Sequence, residues 1–426
     1  MIYSQFNKKE KIIFYSIVAL FVIFLIFRLF SKNLYLSDSY EYLEVAKRIH
    51  DLSFFDTNIS GPSLSKRTFI YPLFLVFFLN SPIVFTIILQ SIIGVITVFL
   101  MFKIINRFGL ELKPSYLWFF IFTPSIFIYT QLIMSEWVVM FLVTLLFWVL
   151  IKSWTKKNFA YIQIITLILA FTKPIFYPLI YLNLIFFGIY FIRIRRFSFW
   201  LFIPIIILQS YLTFNEVRTG YRHFSSIENI NLIKYNLYYF KSKTESEKEA
   251  DQWLNTIYNS SFEEKSFKDQ NIYLREIAVK EIKEHFFQYA LYHFYTSVRG
   301  AFDPGRYDLM SFFKKEDGNQ GFLRVLNGEK PISDLLKNKF ALVYIFLIPI
   351  FLTILIKWFY FIKYLLINKL DFKTYYIILV LVFYILITGP VNSSRYLMPF
   401  QGVIIVFAIL GINSSKKEIT PQRYDG

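Results

Sequence analysis

The chain has no cysteine among its 426 residues, which excludes a disulfide framework, a thiolate metal site and a thiol nucleophile. Charge is scarce as well: Asp, Glu, Lys and Arg make up 18% of the residues, against roughly 25% in a soluble domain. There is no Walker loop, no GxGxxG and no HExxH, and the four histidines (His50, His223, His285 and His293) lack zinc-ligand spacing. What fills the chain instead is apolar and aromatic. Hydrophobic residues reach 56%, with 52 Phe and 31 Tyr, and mean hydropathy is +0.48. A soluble globule of this length divides into domains with mixed surfaces and does not carry so many long Phe, Ile and Leu runs. The composition therefore gives an all-α polytopic membrane protein.

A spanning helix needs about 20 mostly apolar residues. Runs of that size lie near 12–30, 82–102, 115–134, 137–151, 158–172, 174–192, 197–214, 340–356, 374–390 and 396–412, which makes ten expected spans. The first run is too long for a signal-peptide core and no small-residue cleavage site follows it, so it reads as a retained anchor. Ten alternating spans put 19 basic residues against five acidic ones in one set of loops and tails, Lys357 among them. By the positive-inside rule that set is cytoplasmic, with both termini. Most of the formal net charge of +17 is thus an orientation signal and needs no nucleic-acid partner.

The expected organisation is an N-terminal module of seven spans over 1–214 with a first outer loop at 31–67, an outer helical domain at 215–338, three further spans over 339–412 and a cytoplasmic tail at 413–426. Residues 68–79 are too few to cross and read as a half-helix, while 271–300 reads as one helix that is amphipathic first and then aromatic enough to rest on the membrane.

Four groups of residues could carry chemistry. Asp38 and Glu41 lie on a short amphipathic stretch beyond the first span; their spacing is also that of a helix capping box. Glu136, Lys173 and Arg395 stand at the outer ends of expected spans, where charge is costly and marks function by default. Interfacial snorkelling accounts for such a Lys or Arg, less well for the Glu. Lys66 and Arg67 precede the half-helix, and paired cations hold phosphate as readily as a lipid headgroup.

Taken in order, these positions resemble the GT-C superfamily of integral-membrane glycosyltransferases, in the branch of the protein O-mannosyltransferases and the aminoarabinose transferase of lipid A. The resemblance rests on Asp38-Ser39-x-x-Tyr42-x-x-x-Ala46, Arg67-x-x-x-Tyr71-Pro72-Leu73, Thr123-Pro124-Ser125, Ser135-Glu136, Thr172-Lys173-Pro174 and Ser394-Arg395-Tyr396-Leu397-Met398-Pro399-Phe400, with Glu276 to Pro304 similar to the family's outer helix. The chain departs from the branch at Ser39, where many members have a second acid. The resemblance implies a GT-C-like fold and an inverting transfer of sugar from a polyprenyl-phosphate donor to a hydroxyl of a glycan, lipid or protein on the outer face of a bacterial cytoplasmic membrane. It implies Asp38 as general base with Glu41 and Glu136 as helpers. Arg67, Lys173 and Arg395 would hold donor phosphate, and Lys66, Tyr71 and Tyr396 would sit beside the donor lipid. It singles out no cofactor and leaves room for a divalent cation. Two other readings fit the composition: an O-antigen polymerase or ligase relying on His285, Arg299 and Arg306, and a lipid-linked sugar flippase, which requires polar residues at mid-span.

Overall fold

The computed structural model describes residues 6–31, 35–55, 65–152, 155–195, 197–312, 341–391 and 393–414. The expected calls on 56–64, 313–340 and 415–426, which include parts of the first loop, the outer domain and the tail, lie outside the described residues. Every regular element among the described residues is helical. That is the outcome hydrocarbon demands, because backbone N–H and C=O groups find no water there and must pair within their own segment.

Among the described residues, seven helices are long and apolar enough to cross a membrane: α1 (Lys8–Ser31), α4 (Ile83–Arg107), Pro174–Arg193, Phe199–Thr219, Ile345–Ile367, Phe372–Val391 and Ser394–Asn413. Between α1 and α4 come α2 (Ser37–His50) and the short α3 (Ile70–Val76), the expected half-helix. After α4 lie α5 (Glu136–Leu150), which is apolar but shorter, and α6 (Lys156–Thr172). The continuous helices within the later spans are α7 (Pro178–Arg193) and α8 (Ile203–Thr219), then α12 (Ala341–Ile367), α13 (Phe372–Thr388) and α14 (Gln401–Asn413). Between α8 and α12, the helices α9 (Phe267–Glu284), α10 (Phe286–Gly300) and α11 (Arg306–Phe312) follow several shorter ones.

Three expectations change. The run at 115–134 is not one helix: it breaks at Thr123-Pro124 and again after Gln131, leaving Leu117–Ile121, Ser125–Ile128 and the turn Tyr129–Gln131. The freed carbonyls of Thr130 and Leu132 are satisfied by the Gln90 amide of α4 at 3.0 and 2.9 Å, which is how a broken segment survives inside a bundle. The helix expected over 271–300 is two, α9 and α10, interrupted at His285. And α12 runs to Ile367, so Lys357 lies inside a helix, 1% exposed, and not in a loop.

The centre of the bundle is α14. Of its spanning window 83% is buried, against 28–50% for the other six. A helix apolar on all sides belongs in a core. Small residues let it approach its neighbours: a Cβ on Gly411 would fall 1.8 Å from the Tyr360 carbonyl oxygen of α12, and one on Gly402 would fall 2.8 Å from Thr144 of α5. Outside the bundle, Ile233, Leu237, Phe240, Ile257, Phe262, Leu274 and Ala278 form a separate apolar core for the helical module between α8 and α10.

Candidate active site

Helical periodicity puts Asp38, Glu41, Tyr42 and Val45 on one face of α2, and burial of Tyr42, Val45 and Ala46 pins that face to the bundle. The capping box expected from Asp38 and Glu41 does not form. The helix starts two residues earlier, capped at Leu36, whose N–H donates to Ser39 Oγ at 2.9 Å. Both carboxylates are thereby left for other partners.

Arg67 supplies the first set. Its Nη2 lies 2.9 Å from Asp38 Oδ1, its Nε donates to Glu41 Oε2 at 2.7 Å, and its guanidinium sits over the Tyr42 ring. Lys66 pairs with the other Glu41 oxygen. Residues 65–67 form a strap whose backbone is clamped from the loop after α8. Ser65 and His223 are joined at 2.6 Å, Ser226 N–H donates to the Ser65 carbonyl at 3.3 Å, and Ser225 Oγ donates to the Lys66 carbonyl at 3.0 Å. Burial lowers the His223 pKa, so the ring is neutral when it meets Ser65.

The second set comes from the bundle. Arg395, in the turn that leads into α14, donates through Nε to Glu136 Oε1 at 2.7 Å and through Nη2 to Asp38 Oδ2. Lys173, at the end of α6, donates to the same Glu136 oxygen at 3.1 Å and lies over the Tyr396 ring. Tyr71 is fully buried behind Tyr42, ring against ring at 4.8 Å, with its hydroxyl on Gln90.

All nine sequence-predicted residues therefore meet at one end of the bundle, the charged ones as a chain: Lys66, Glu41, Arg67, Asp38, Arg395, Glu136, Lys173. Three carboxylates face four cations, for a net charge of +1. Access is graded along the chain. Side-chain exposure is 27% at Glu41, 20% at Asp38 and 0% at Glu136, so a ligand meets the Asp38–Glu41 end and Glu136 acts on it only through Arg395 and Lys173. Burial alone raises an acid's pKa, but Arg395 and Arg67 outweigh it and hold Asp38 down to about 2. Among the described residues, no three His, Asp or Glu side chains gather as metal ligands, and each carboxylate in the chain already faces a cation.

Two acids behind Arg395 are missing from the residues singled out in the sequence. Asp303 accepts from Ser394 N–H at 2.9 Å, and Asp308 is hydrogen-bonded to Ser394 Oγ at 2.7 Å and to the Tyr129 hydroxyl at 2.6 Å. The signal was Asp303-Pro304-Gly305, a turn tripeptide whose Gly305 has φ +79°. Of the residues the polymerase reading favours, His285 stands at the α9–α10 break against the Phe240 ring, and Arg299 is exposed near the end of α10. Compared with protein-family models, curated proteins and solved structures, the chain matches none.

Proposed function

We propose that this protein is a membrane glycosyltransferase that moves a sugar from a polyprenyl-phosphate carrier to an acceptor hydroxyl, inverting the anomeric centre. The observation that carries the reading is the convergence of residues from separate segments, 38 to 395 in sequence, into one ion-pair chain at one end of an apolar bundle. Such a place suits a substrate with a hydrocarbon tail, a phosphate at the interface and a sugar beyond it.

The chemistry needs few tools. The acceptor O–H gives its proton to Asp38 while its oxygen bonds to the anomeric carbon. On the opposite face the C–O bond to phosphate breaks, and the phosphate oxygen keeps the electron pair. Arg395, Lys173 and Arg67 neutralise that developing charge, so no general acid is required. Clamped between two guanidiniums, Asp38 is a poor base in the resting state. A donor phosphate that draws Arg395 away releases Asp38, and the base becomes competent only when donor is present. Glu136, beneath Arg395 and Lys173, holds the two cations for phosphate, and Glu41 orients Arg67.

On this reading the cluster is on the outer face of a bacterial cytoplasmic membrane, both termini are cytoplasmic, and the acceptor is a glycan, lipid or protein. A flippase is favoured by one observation, the buried mid-helix Lys357, whereas the ionisable cluster at a single end favours an interfacial enzyme. The test is Arg395→Ala in purified protein titrated with polyprenyl-phosphate sugar. Apparent donor affinity is expected to fall at least tenfold with acceptor dependence little changed; unaltered donor affinity and rate remove Arg395 from the site.

A further inference from the structure

Lys357 and Asp308 are buried ionisable groups that the transfer reading does not use, and they line one cavity of about 20 Å³ together with Thr123, Asp303, Ser394 and Gln401. That volume holds about one water. Lys357 is on α12, 1% exposed, and its Nζ makes two hydrogen bonds, to Thr123 Oγ1 at 3.0 Å and Gln401 Oε1 at 2.6 Å. No carboxylate lies in contact with it among the described residues. An ammonium carries three donors, whereas a neutral amine carries two donors and a lone pair. Two acceptors match the neutral amine, with the lone pair left for the cavity.

Asp308, on α11 and 4% exposed, is the complement. Its Oδ1 accepts from the Tyr129 hydroxyl and its Oδ2 lies 2.7 Å from Ser394 Oγ, with no cation in contact among the described residues. Both contacts are hydroxyls that donate to it, so neither brings the positive charge that a buried carboxylate needs. Cations stand further off, Arg395 acting on Asp308 from a distance. The groups facing Asp308 are Tyr129, Asp303, Arg395 and, past Tyr129, Glu136, with Arg306 on its own helix and Arg28 over the neighbouring Phe312 ring. Facing Lys357, α14 and the stretch 117–128 hold no charged residue at all, and Asp303 on the cavity is taken up by Ser394 and Gly305 N–H groups.

We propose that Asp308 and Lys357 form one proton-binding site inside the bundle, an uncharged acid–amine pair in which Asp308 carries the proton and Lys357 is a neutral amine. Two isolated buried charges are far costlier than two neutral groups with satisfied hydrogen bonds. Burial also pushes the Asp308 carboxyl up to about 7, against the opposing hydrogen bonds of Tyr129 and Ser394. A second proton, on the Lys357 amine, would create a charge beneath the Arg395 turn. Gln401, its partner, is six residues beyond Arg395, about 9 Å along a helix.

Infrared difference spectroscopy of the full chain in nanodiscs tests this without any substrate, and so independently of the transferase reading. A buried carboxylic-acid C=O band at neutral pH is expected in the wild type and in Lys357→Met alike, and is expected to vanish in Asp308→Asn. Should Asp308→Asn fail to fold, Asp308→Glu assigns the band by moving its frequency. A wild type without the band overturns the proposal. Its appearance only in Lys357→Met would then mark an ordinary ion pair. A band indifferent to substitution at Asp308 overturns the proposal as well, because another carboxyl then carries the proton.

Discussion

Replacing Glu136 by glutamine removes one negative charge at a position that is 0% exposed, where a single oxygen accepts from Arg395 at 2.7 Å and Lys173 at 3.1 Å. The glutamine oxygen still accepts, so shape and hydrogen bonds are largely kept; what changes is charge. The cluster moves from +1 to +2, and two cations that shared a counter-ion face each other with little water to screen them. Breaking a buried pair by removing one partner costs about 3–5 kcal/mol. Lys173→Met, which takes the cluster to 0, strands part of the Glu136 charge on Arg395 alone and costs less. The double variant returns the net charge to +1. Its loss should fall short of the sum of the single losses by about 1 kcal/mol or more, inside the range of about 0.5–3 kcal/mol for residues in direct contact. Unfolding by sodium dodecyl sulfate titration in mixed micelles, followed by tryptophan fluorescence, measures all four corners of the cycle. Losses that add to within about 0.5 kcal/mol would show that Glu136 and Lys173 act independently, and the ion-pair chain would then be a coincidence of packing.

Two further outcomes follow from the same geometry. Because Arg395 and Arg67 depress the Asp38 pKa from 3.8 to about 2, Asp38 contributes about 2 kcal/mol of stability above its unfolded pKa, and this is lost as pH falls from about 4 to about 2. Thermal melts across that window should show a shallower acid slope in Asp38→Asn; an unchanged slope contradicts the pairing. Gly411→Ala should destabilise by about 1–3 kcal/mol, since its Cβ meets the Tyr360 backbone at 1.8 Å. Gly188→Ala, with nothing within 4 Å, should be neutral or stabilising by up to about 1 kcal/mol, and melting temperatures of the two variants test the contrast.

Much of the site was legible because charge in an apolar chain is conspicuous. Glu136, Lys173 and Arg395 stood out at the ends of apolar runs, and Lys66 and Arg67 before a run too short to cross. That they form one chain depends on α14 being central and on the strap clamped by His223 and Ser225, long-range contacts that no local pattern encodes. Hydropathy failed at 115–134 because a window sums apolarity and is blind to the break at Thr123-Pro124, which the distant Gln90 makes tolerable. It failed at Lys357 for the opposite reason. A single lysine after the apolar run 340–356 reads as the end of a span, whereas Thr123 and Gln401 receive it inside one. The capping box was misread because Ser39 takes the backbone bond at Leu36 and leaves Asp38 and Glu41 to Arg67 and Arg395.

The most direct measurement is turnover of a labelled polyprenyl-phosphate sugar by the purified protein in lipid vesicles, with release of polyprenyl phosphate followed beside sugar transfer, for the wild type and Asp38→Asn. The account predicts transfer by the wild type and a fall of about 10²–10⁴-fold in Asp38→Asn, the usual worth of a general base, with donor binding and membrane insertion retained. Near wild-type turnover by Asp38→Asn would contradict it.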